Sequence, residues 1–397
     1  MFGREHIEEA EEARLAAYAS RASRSRGRKH GWLGTDPYRT DFQRDRDRIL
    51  YSTAFRRLKY KTQVYVVQEA DFYRTRLTHS LEVMQHARTL ARALGCNEDL
   101  VEAISYAHDL GHAPFGHLAE ERLARLMEPH GGFDHNRQGL RVVDRLERIY
   151  PEHPGLDLCW ETREGLARHR TEYDREAEVG EFAAWPQPSV ECQIVNLADQ
   201  LAFVTHDLDD ALSGRLIGEE HLVRKGLELV REILDRRRGE SRREGQEIGS
   251  RERRLLIRDL IHDLSVDAIT QSQQLLAQSG ARTPDDVRRR RQPVVAFSPE
   301  MERHVGRLNA FLMGEVYHHP WVLMMGKKGV RMVEDLFHAF MEDPRLLPRH
   351  VTEDLDPGKR GSLARTVTDY VASMTDRAAH NLHRAIFDPG ERIFPGI

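Results

Sequence analysis

The amino-acid sequence predicts an all-α protein with a helical-bundle core and an additional C-terminal helical lobe. Three long segments, at residues 74–94, 97–109 and 190–213, have apolar residues at the three- and four-residue steps of a buried helix face. Glycines and capping polar residues separate these segments, as expected for helix ends. The best strand-like run, residues 64–67, predicts no more than a short hairpin arm.

Each of these helices has recognisable ends. The first stops at Gly95, because glycine readily adopts the left-handed conformation that ends helices. Its apolar face consists of Leu81, Val83, Met84, Ala87, Leu90, Ala91 and Leu94. The second begins at Asn97, an N-cap residue followed by Glu98 and Asp99, whose charges suit the positive end of the helix dipole. The third, 190–213, is apolar except for a polar stripe along one side.

Residues 106–117 concentrate histidines at the end of the second helix. The segment reads Tyr-Ala-His-Asp-Leu-Gly-His-Ala-Pro-Phe-Gly-His. A helix does not continue through Gly111 and Pro114, so His108 and Asp109 are expected on its last turn. Neutral imidazole and carboxylate are ligands for divalent transition ions. The segment therefore indicates a metal site, although an isolated His-Asp pair is more often a surface histidine beside a capping aspartate.

The composition limits the class of protein. Lys and Arg total 60 against 64 Asp and Glu, a formal net charge of -4, so no whole-chain basic field indicates nucleic-acid binding. Cys96, Cys159 and Cys192 match neither zinc nor disulfide spacing and are expected to be buried, reduced thiols. No run approaches the ~18 apolar residues of a membrane span, so we expect a soluble, cytoplasmic protein without a membrane partner.

The chain of 397 residues exceeds one typical domain of about 150 residues, and we expect four parts. They are an N-terminal helix and basic arm (1–40), a core (41–215), a charged helical insert or linker (216–292) and a C-terminal helical region that completes the site (293–397). The arginine-rich runs at 236–243 and 288–291 are typical of exposed linkers or of a boundary between lobes.

Four side chains on three helices are candidate ligands of one ion: His79, His108, Asp109 and Asp199. Asp199 lies in an apolar helix, where an unpaired carboxylate is costly, so it is either a ligand or a partner in a cap or salt bridge. Two imidazoles and two carboxylates suit an octahedral ion with positions left open for water or phosphate oxygens. Manganese, iron, magnesium, zinc, nickel and cobalt are all admissible.

Further polar residues would serve such a site. Three other histidines are candidate acids or bases because imidazole titrates near neutral pH, namely His112, His117 and His135. Glu120, three residues after His117, is placed to fix the tautomer of that histidine. Arg76 and Gln63 are candidates for holding a polyanionic substrate.

Taken together, these motifs resemble a known family. The H…HD…D pattern of His79, His108-Asp109 and Asp199 is the signature of the HD hydrolases. The surrounding segments, at 55–59, 74–83, 108–117, 198–199 and 206–210, are similar to bacterial deoxyguanosinetriphosphate triphosphohydrolase-like proteins. Vertebrate SAM-and-HD-domain dNTP triphosphohydrolases are more distant relatives. The resemblance is strong from about residue 41 to 213, with further matches at 317–320 and 369–377.

The resemblance implies an HD-domain bundle that hydrolyses a dNTP to deoxynucleoside and inorganic triphosphate, with water attacking the α-phosphorus. One divalent metal ion per site would be held by His79, His108, Asp109 and Asp199. His117, oriented by Glu120, would be the catalytic histidine. His112 would join this catalytic group from the phosphate side, which His135 also lines.

The resemblance also assigns the substrate contacts. Arg76 would bind phosphate, Gln63 would meet the sugar, and Asp207 would bind the 3′ hydroxyl. Phe203 stands where relatives commonly have tyrosine, so its ring can exclude a 2′ hydroxyl but cannot donate a hydrogen bond to the sugar. Tyr317, in the second matched region, is the last candidate substrate-binding residue.

The resemblance extends to partners. Relatives form rings of subunits, often hexamers, so a homo-oligomer is expected, and a second dNTP as allosteric activator and single-stranded DNA are candidate partners. Two other functions stay open. Another HD phosphohydrolase, a nucleotidase or a phosphodiesterase acting on a monophosphate or cyclic dinucleotide, would share the metal site. A nucleotide-sensing or single-stranded-DNA-binding assembly would carry a vestigial one.

Overall fold

The computed structural model describes residues 3–31, 34–64, 73–170, 180–218, 221–222, 227–240, 250–353 and 360–391. The regular structure in these ranges is helical, which confirms the predicted all-α class. The described residues form no strand, only the isolated bridges of Arg28 with Cys159 and of Thr62 with Thr75. The strand-like run predicted at 64–67 lies, apart from Val64, outside the described residues. None of the described helices has the length and apolar character needed to cross a bilayer.

The helices fall into two groups along the chain. The first group is α1 (Arg4–Arg14), α2 (Asp41–Leu50), α3 (Thr53–Arg57), α4 (Arg76–Ala93), α5 (Glu98–Ala107), α6 (His117–Met127), α7 (His135–Arg141), α8 (Trp160–Ala167) and α9 (Val190–Ser213). The second group is α10 (Glu228–Glu240), α11 (Ser250–Ser279), α12 (Pro284–Arg288), α13 (Pro299–Leu312), α14 (Pro320–Glu342), α15 (Arg349–Thr352), α16 (Arg360–Ser373) and α17 (Asp376–Phe387).

The predicted ends of the three central helices are confirmed except for the C-terminal end of the second. Helix α4 ends at Ala93 and is followed by Gly95 in a left-handed conformation, with φ of 68°. Helix α5 begins after Asn97, whose side chain accepts a hydrogen bond from the Leu100 amide, and it ends at Ala107. Helix α9 spans 190–213 as predicted. His108 and Asp109, predicted on the last turn of this helix, instead follow it directly, where the backbone leaves the helix.

The first hydrophobic core lies between α4, α5 and α9. Its fully buried side chains include Leu90, Leu100, Ile104, Ile194, Leu201 and Leu208. Burying one such aliphatic side chain contributes about 1.5–3 kcal/mol, so this bundle holds the three ligand-bearing helices firmly against each other. The cysteines are buried and unpaired, as predicted.

A second core joins α6 to the C-terminal helices α14, α16 and α17. Its members include Leu123, Met127, Leu336, Phe340, Val367 and Val371. Ala113 and Phe115, from the histidine-rich segment, belong to the same cluster. The C-terminal lobe therefore forms one wall against which the segment between α5 and α6 is packed.

The prediction of exposed linkers was wrong for Arg288. This residue is 2% exposed, and its Nε and Nη2 atoms each donate to a carboxylate oxygen of Glu164 at 2.7 Å. A buried guanidinium needs such a paired, bidentate partner, which charge patterning alone does not reveal. The pair attaches the end of α12 to α8. The four-part division of the chain stays a prediction.

Candidate active site

The four predicted ligands come together from three helices. His79 lies on α4, His108 and Asp109 follow α5, and Asp199 lies in the middle of α9. His79 Nε2 is 2.8 Å from Asp199 Oδ1, and His108 Nε2 is 3.8 Å from the same oxygen. His108 Nε2 also lies 3.6 Å from Asp109 Oδ1. None of the four is more than 7% exposed, so their nitrogen and oxygen atoms face each other away from water.

Two atoms of this cluster indicate whether the site suits a cation. His108 Nε2 and Asp109 Oδ2 are buried and have no hydrogen-bond partner within the described residues. His108 Nδ1 lies 2.7 Å from the Ser105 carbonyl oxygen, which can only accept, so the ring proton is on Nδ1 and Nε2 carries a lone pair. Burial lowers the pKa of His108 to about 4, which keeps the ring neutral. A buried lone pair beside a carboxylate oxygen is costly by itself but fits a divalent ion.

Arg76 is buried against this cluster. Its Nη1 donates to Asp109 Oδ1 at 2.9 Å. Burial alone would raise the pKa of Asp109, but the positive charge of Arg76 holds it well below its usual range. Asp109 is thus an anion whose Oδ1 is already bonded, while its Oδ2 is the atom available to a cation. The structure places Arg76 where it orients Asp109, a candidate ligand, as well as lining the site.

Glu120 is hydrogen-bonded to two histidines, neither of which is His117, its predicted partner. Its Oε2 lies 2.7 Å from His112 Nδ1 and its Oε1 lies 2.7 Å from His135 Nδ1. The two imidazole rings are stacked, with centroids 3.9 Å apart and 16° between their planes. Burial opposes ionisation, but the charges of His135 and His112 hold the pKa of Glu120 well below its usual range. Glu120 therefore orients both rings by their Nδ1 atoms.

The predicted pairing of His117 with Glu120 is corrected by this geometry. His117 is the first residue of α6, and its side chain is 55% exposed, with Nε2 3.4 Å from Glu121 Oε1. Glu120 faces inward, where His112 and His135 occupy both of its oxygens. A spacing of three residues puts two side chains on neighbouring parts of a helix, but the start of α6 turns His117 outward.

Three of the predicted substrate-binding residues, Phe203, Asp207 and Tyr317, lie together, whereas Gln63 lies elsewhere. The Tyr317 hydroxyl donates to the Asp207 carboxylate, and the rings of Phe203 and Tyr317 stack at 5.9 Å with 15° between their planes. Burial raises the pKa of Asp207 to about 7. Gln63 lies beside the histidine-rich segment, and its Oε1 is buried without a partner in the described part of the chain.

Two further histidines belong to the cluster, and the sequence interpretation did not assign them. His169 follows α8, and its Nε2 lies 3.3 Å from Asp199 Oδ2. His206 lies on α9, with its Nδ1 3.5 Å from His79 Nδ1 and its Nε2 in contact with Glu82. His206 shares the polar stripe of α9 with Asp199 and could have been suspected from that spacing. No local spacing in the sequence indicated that His169 would join the cluster.

Comparison with known proteins matches two family descriptions to this chain. The HD domain covers residues 76–204, and the phosphohydrolase-associated domain covers residues 295–385. The first contains all four proposed ligands and their neighbours. The second begins after α12 and runs from α13 into α17; its helices α14, α16 and α17 pack against the histidine-rich segment.

Several bacterial relatives are similar over nearly their whole length. A protein from Syntrophus aciditrophicus is 43% identical over 397 residues, covering 99% of this chain and 98% of its own. One from Geobacter sulfurreducens is 44% identical, covering 99% and 100%, and one from Ralstonia nicotianae is 47% identical, covering 95% of each chain. Each is named a deoxyguanosinetriphosphate triphosphohydrolase-like protein. Since the likeness spans both matched domains, the chain belongs to the deoxyguanosinetriphosphate triphosphohydrolase-like family of HD-domain phosphohydrolases.

Proposed function

We propose that the protein is a metal-dependent dNTP triphosphohydrolase, which converts a deoxynucleoside triphosphate to deoxynucleoside and inorganic triphosphate. The observation that carries the proposal is the contact between two groups of residues. His112 Nε2, from the pair of rings oriented by Glu120, lies 3.2 Å from Asp109 Oδ1 of the ligand cluster. Metal ligands and proton-carrying imidazoles thus share one buried space, as a phosphoester hydrolase requires.

His79, His108, Asp109 and Asp199 would hold one divalent ion. When bound, such an ion neutralises phosphate charge and makes water a better nucleophile at neutral pH. The native metal stays open among manganese, iron, magnesium, zinc, nickel and cobalt. Arg76, bonded to Asp109, adds positive charge on the side where phosphate would lie.

The three predicted histidines that are not metal ligands would share the handling of phosphate and protons. His112 and His135 each donate a proton from Nδ1 to Glu120, which fixes the orientation of both rings beside the ligand cluster, where His112 Nε2 faces Asp109. His117 stands at the exposed start of α6, beside Glu121. We assign the proton for the departing 5′ oxygen to His117 and the orientation of the triphosphate to the other two.

The pocket of Asp207, Tyr317 and Phe203 would hold the sugar. Because the pKa of Asp207 is near 7, its carboxyl group can share a proton with the Tyr317 hydroxyl and with a 3′ hydroxyl. The stacked rings of Phe203 and Tyr317 would form an apolar wall that disfavours a 2′ hydroxyl. Gln63, with its buried unpaired oxygen, is the proposed second contact to the sugar. The homo-oligomer, the dNTP activator and the single-stranded-DNA partner stay predictions.

The decisive experiment is a product analysis with the purified full-length chain loaded with manganese. The four dNTPs are supplied singly and in pairs, and inorganic triphosphate and deoxynucleoside are quantified. We expect both products in equal amounts, abolished by Asp199→Asn and unchanged by Asp388→Asn, a matched change at an exposed aspartate after α17.

Two other results would contradict the proposal. Release of orthophosphate from monophosphates, or opening of cyclic dinucleotides, without triphosphate release would identify another HD phosphohydrolase. Binding of dNTPs with no product from any single nucleotide or pair would instead favour a sensing or DNA-binding assembly.

A further inference from the structure

His169 lies inside the ligand cluster without belonging to the H…HD…D pattern. It is 3% exposed, and its ring centroid is 5.0 Å from that of His108. Ligand atoms of His108, His169 and Asp199 all lie within 4.8 Å of one another. The triad of His79, His108 and Asp109 satisfies the same limit, so the two triads share His108.

Asn196 determines which nitrogen of His169 carries a proton. The Asn196 Nδ2 atom donates to the Arg168 carbonyl oxygen at 3.4 Å, so its amide oxygen is the atom that lies 2.8 Å from His169 Nδ1. An amide oxygen can only accept, and Nδ1 is therefore protonated. In the neutral ring, Nε2 then presents a lone pair toward Asp199 Oδ2 at 3.3 Å.

This arrangement repeats that of His108, one of the proposed ligands. There too a backbone or side-chain oxygen accepts the Nδ1 proton, and Nε2 faces Asp199 with its lone pair. Without a cation, a ring protonated at both nitrogens can donate its Nε2 proton to Asp199 at this distance; with a cation bound beside Asp199, the same nitrogen can instead bind the ion through its lone pair. Hydrogen bonding of the distal nitrogen to an oxygen acceptor is how metal-ligating histidines are commonly held.

We propose that His169 is a fifth protein ligand of the metal ion. The ion would then be bound by three imidazoles and two carboxylates, with one position of an octahedron open to substrate or water. The inference rests on the metal site of the proposed function but not on its dNTP substrate. A nitrogen-rich site of this kind favours manganese, iron, cobalt or zinc over magnesium, which prefers oxygen ligands and retains its waters.

The test measures the number of imidazole ligands on the metal instead of catalytic turnover. The full-length chain is stripped of metal and reloaded with cobalt, and imidazole ligands are counted by X-ray absorption spectroscopy. The cobalt Kd is measured by competition with a chelator, and the magnesium Kd by calorimetry. Wild-type protein is compared with His169→Gln and with His153→Gln, a matched change at a buried histidine that stacks on His30 outside the cluster.

We expect three imidazoles in the wild type and in His153→Gln, and two in His169→Gln. The cobalt Kd of His169→Gln should rise at least about tenfold, with magnesium binding little changed. If His169→Gln does not fold, Asn196→Leu serves instead, because it keeps the imidazole but frees its tautomer. That variant should retain three imidazoles with a weaker cobalt Kd.

Two imidazoles in the wild type, with an unchanged cobalt spectrum in His169→Gln, would overturn the inference even if affinity fell. His169 would then act by a hydrogen bond to Asp199. A wild-type chain that binds no transition ion would overturn the proposed metal site as well. A chain with three imidazoles that hydrolyses no dNTP would leave this inference intact and refute only the substrate.

Discussion

The Phe115 amide donates to Asp376 Oδ1 at 2.9 Å, joining residues 261 positions apart. Phe115 has φ of 65°, a left-handed conformation that non-glycine residues rarely adopt without support. The other oxygen, Asp376 Oδ2, accepts from the Thr62 amide at 3.0 Å. The first residue of α17 therefore holds the turn that carries His112 on one side and His117 on the other. The geometry of the site depends on contacts from the C-terminal lobe.

Replacing Asp376 by alanine should loosen this turn. The amides of Phe115 and Thr62 would lose a buried acceptor, and each unsatisfied group costs about 1–3 kcal/mol. We expect a lower urea midpoint and reduced turnover, with metal affinity affected less. Asp388→Ala, at the exposed opposite end of α17, should change stability by no more than about 0.5 kcal/mol. Equal midpoints for the two variants would refute the role of Asp376.

Gly329 is the second contact that fixes Phe115. A Cβ atom at this position of α14 would lie 2.3 Å from Phe115 Cβ, so Gly329→Ala must displace the aromatic ring or the helix. Overpacking of this kind costs about 1–3 kcal/mol, and we expect turnover to fall with stability. Gly306→Ala in α13 meets no atom within 4 Å and should stabilise the helix by up to about 1 kcal/mol. Thermal unfolding of both variants measures the contrast, which would be absent if Phe115 were free to move.

The assignment of the departing-group proton to His117 predicts a clean separation of binding from turnover. His117→Ala should lower kcat by about 10²–10⁴ because the general acid is lost. Metal content and dNTP affinity should be unchanged, since His117 lies outside the buried cluster. His338→Ala, which removes another exposed helical histidine beside a glutamate, is the control. Loss of metal from His117→Ala would show that this residue is a ligand instead.

Glu120→Gln tests the pair of oriented imidazoles. The amide retains one acceptor oxygen and places its NH₂ group against the Nδ1 proton of His112 or His135. One ring must therefore turn or change tautomer, and we expect weaker dNTP binding as well as slower turnover. Calorimetric titration with a nonhydrolysable dNTP measures the first effect. Unaltered dNTP affinity would show that Glu120 does not orient these rings toward phosphate.

His86 on α4 predicts a specific loss of stability in acid. Burial lowers its pKa to about 4, and the charge of Glu82 offsets only part of this effect. The ordinary pKa of histidine is about 6.5, so between pH 6.5 and 4 the unfolded chain binds more protons than the folded one. Stability should fall as the pH is lowered through this window. Denaturant midpoints at pH 7 and pH 5 should differ less in His86→Leu than in the wild type or in His350→Leu, an exposed control.

Local sequence patterns were sufficient to predict the helices and the candidate site residues that lie on them. The N-cap Asn97, the terminating Gly95 and the apolar spacing of 190–213 each depend only on residues a few positions away. The helices that they define could therefore be predicted from the sequence. His169 could not be found in this way, because its partner Asp199 lies on another helix and no fixed spacing relates them. The histidine partners of Glu120 could not be predicted from local spacing either, because one of them, His135, lies on α7.

The packing of the histidine-rich segment bears on how this protein can be divided. A fragment limited to residues 76–204 would contain every proposed metal ligand, including His169. It would nevertheless remove most of the apolar cluster in which Ala113 and Phe115 are buried, including Leu336 and Val367, and expose them to water. Residues 76–204 therefore do not form a domain that can be transferred by itself. Truncation, domain exchange or grafting of this site onto another scaffold has to carry both lobes together.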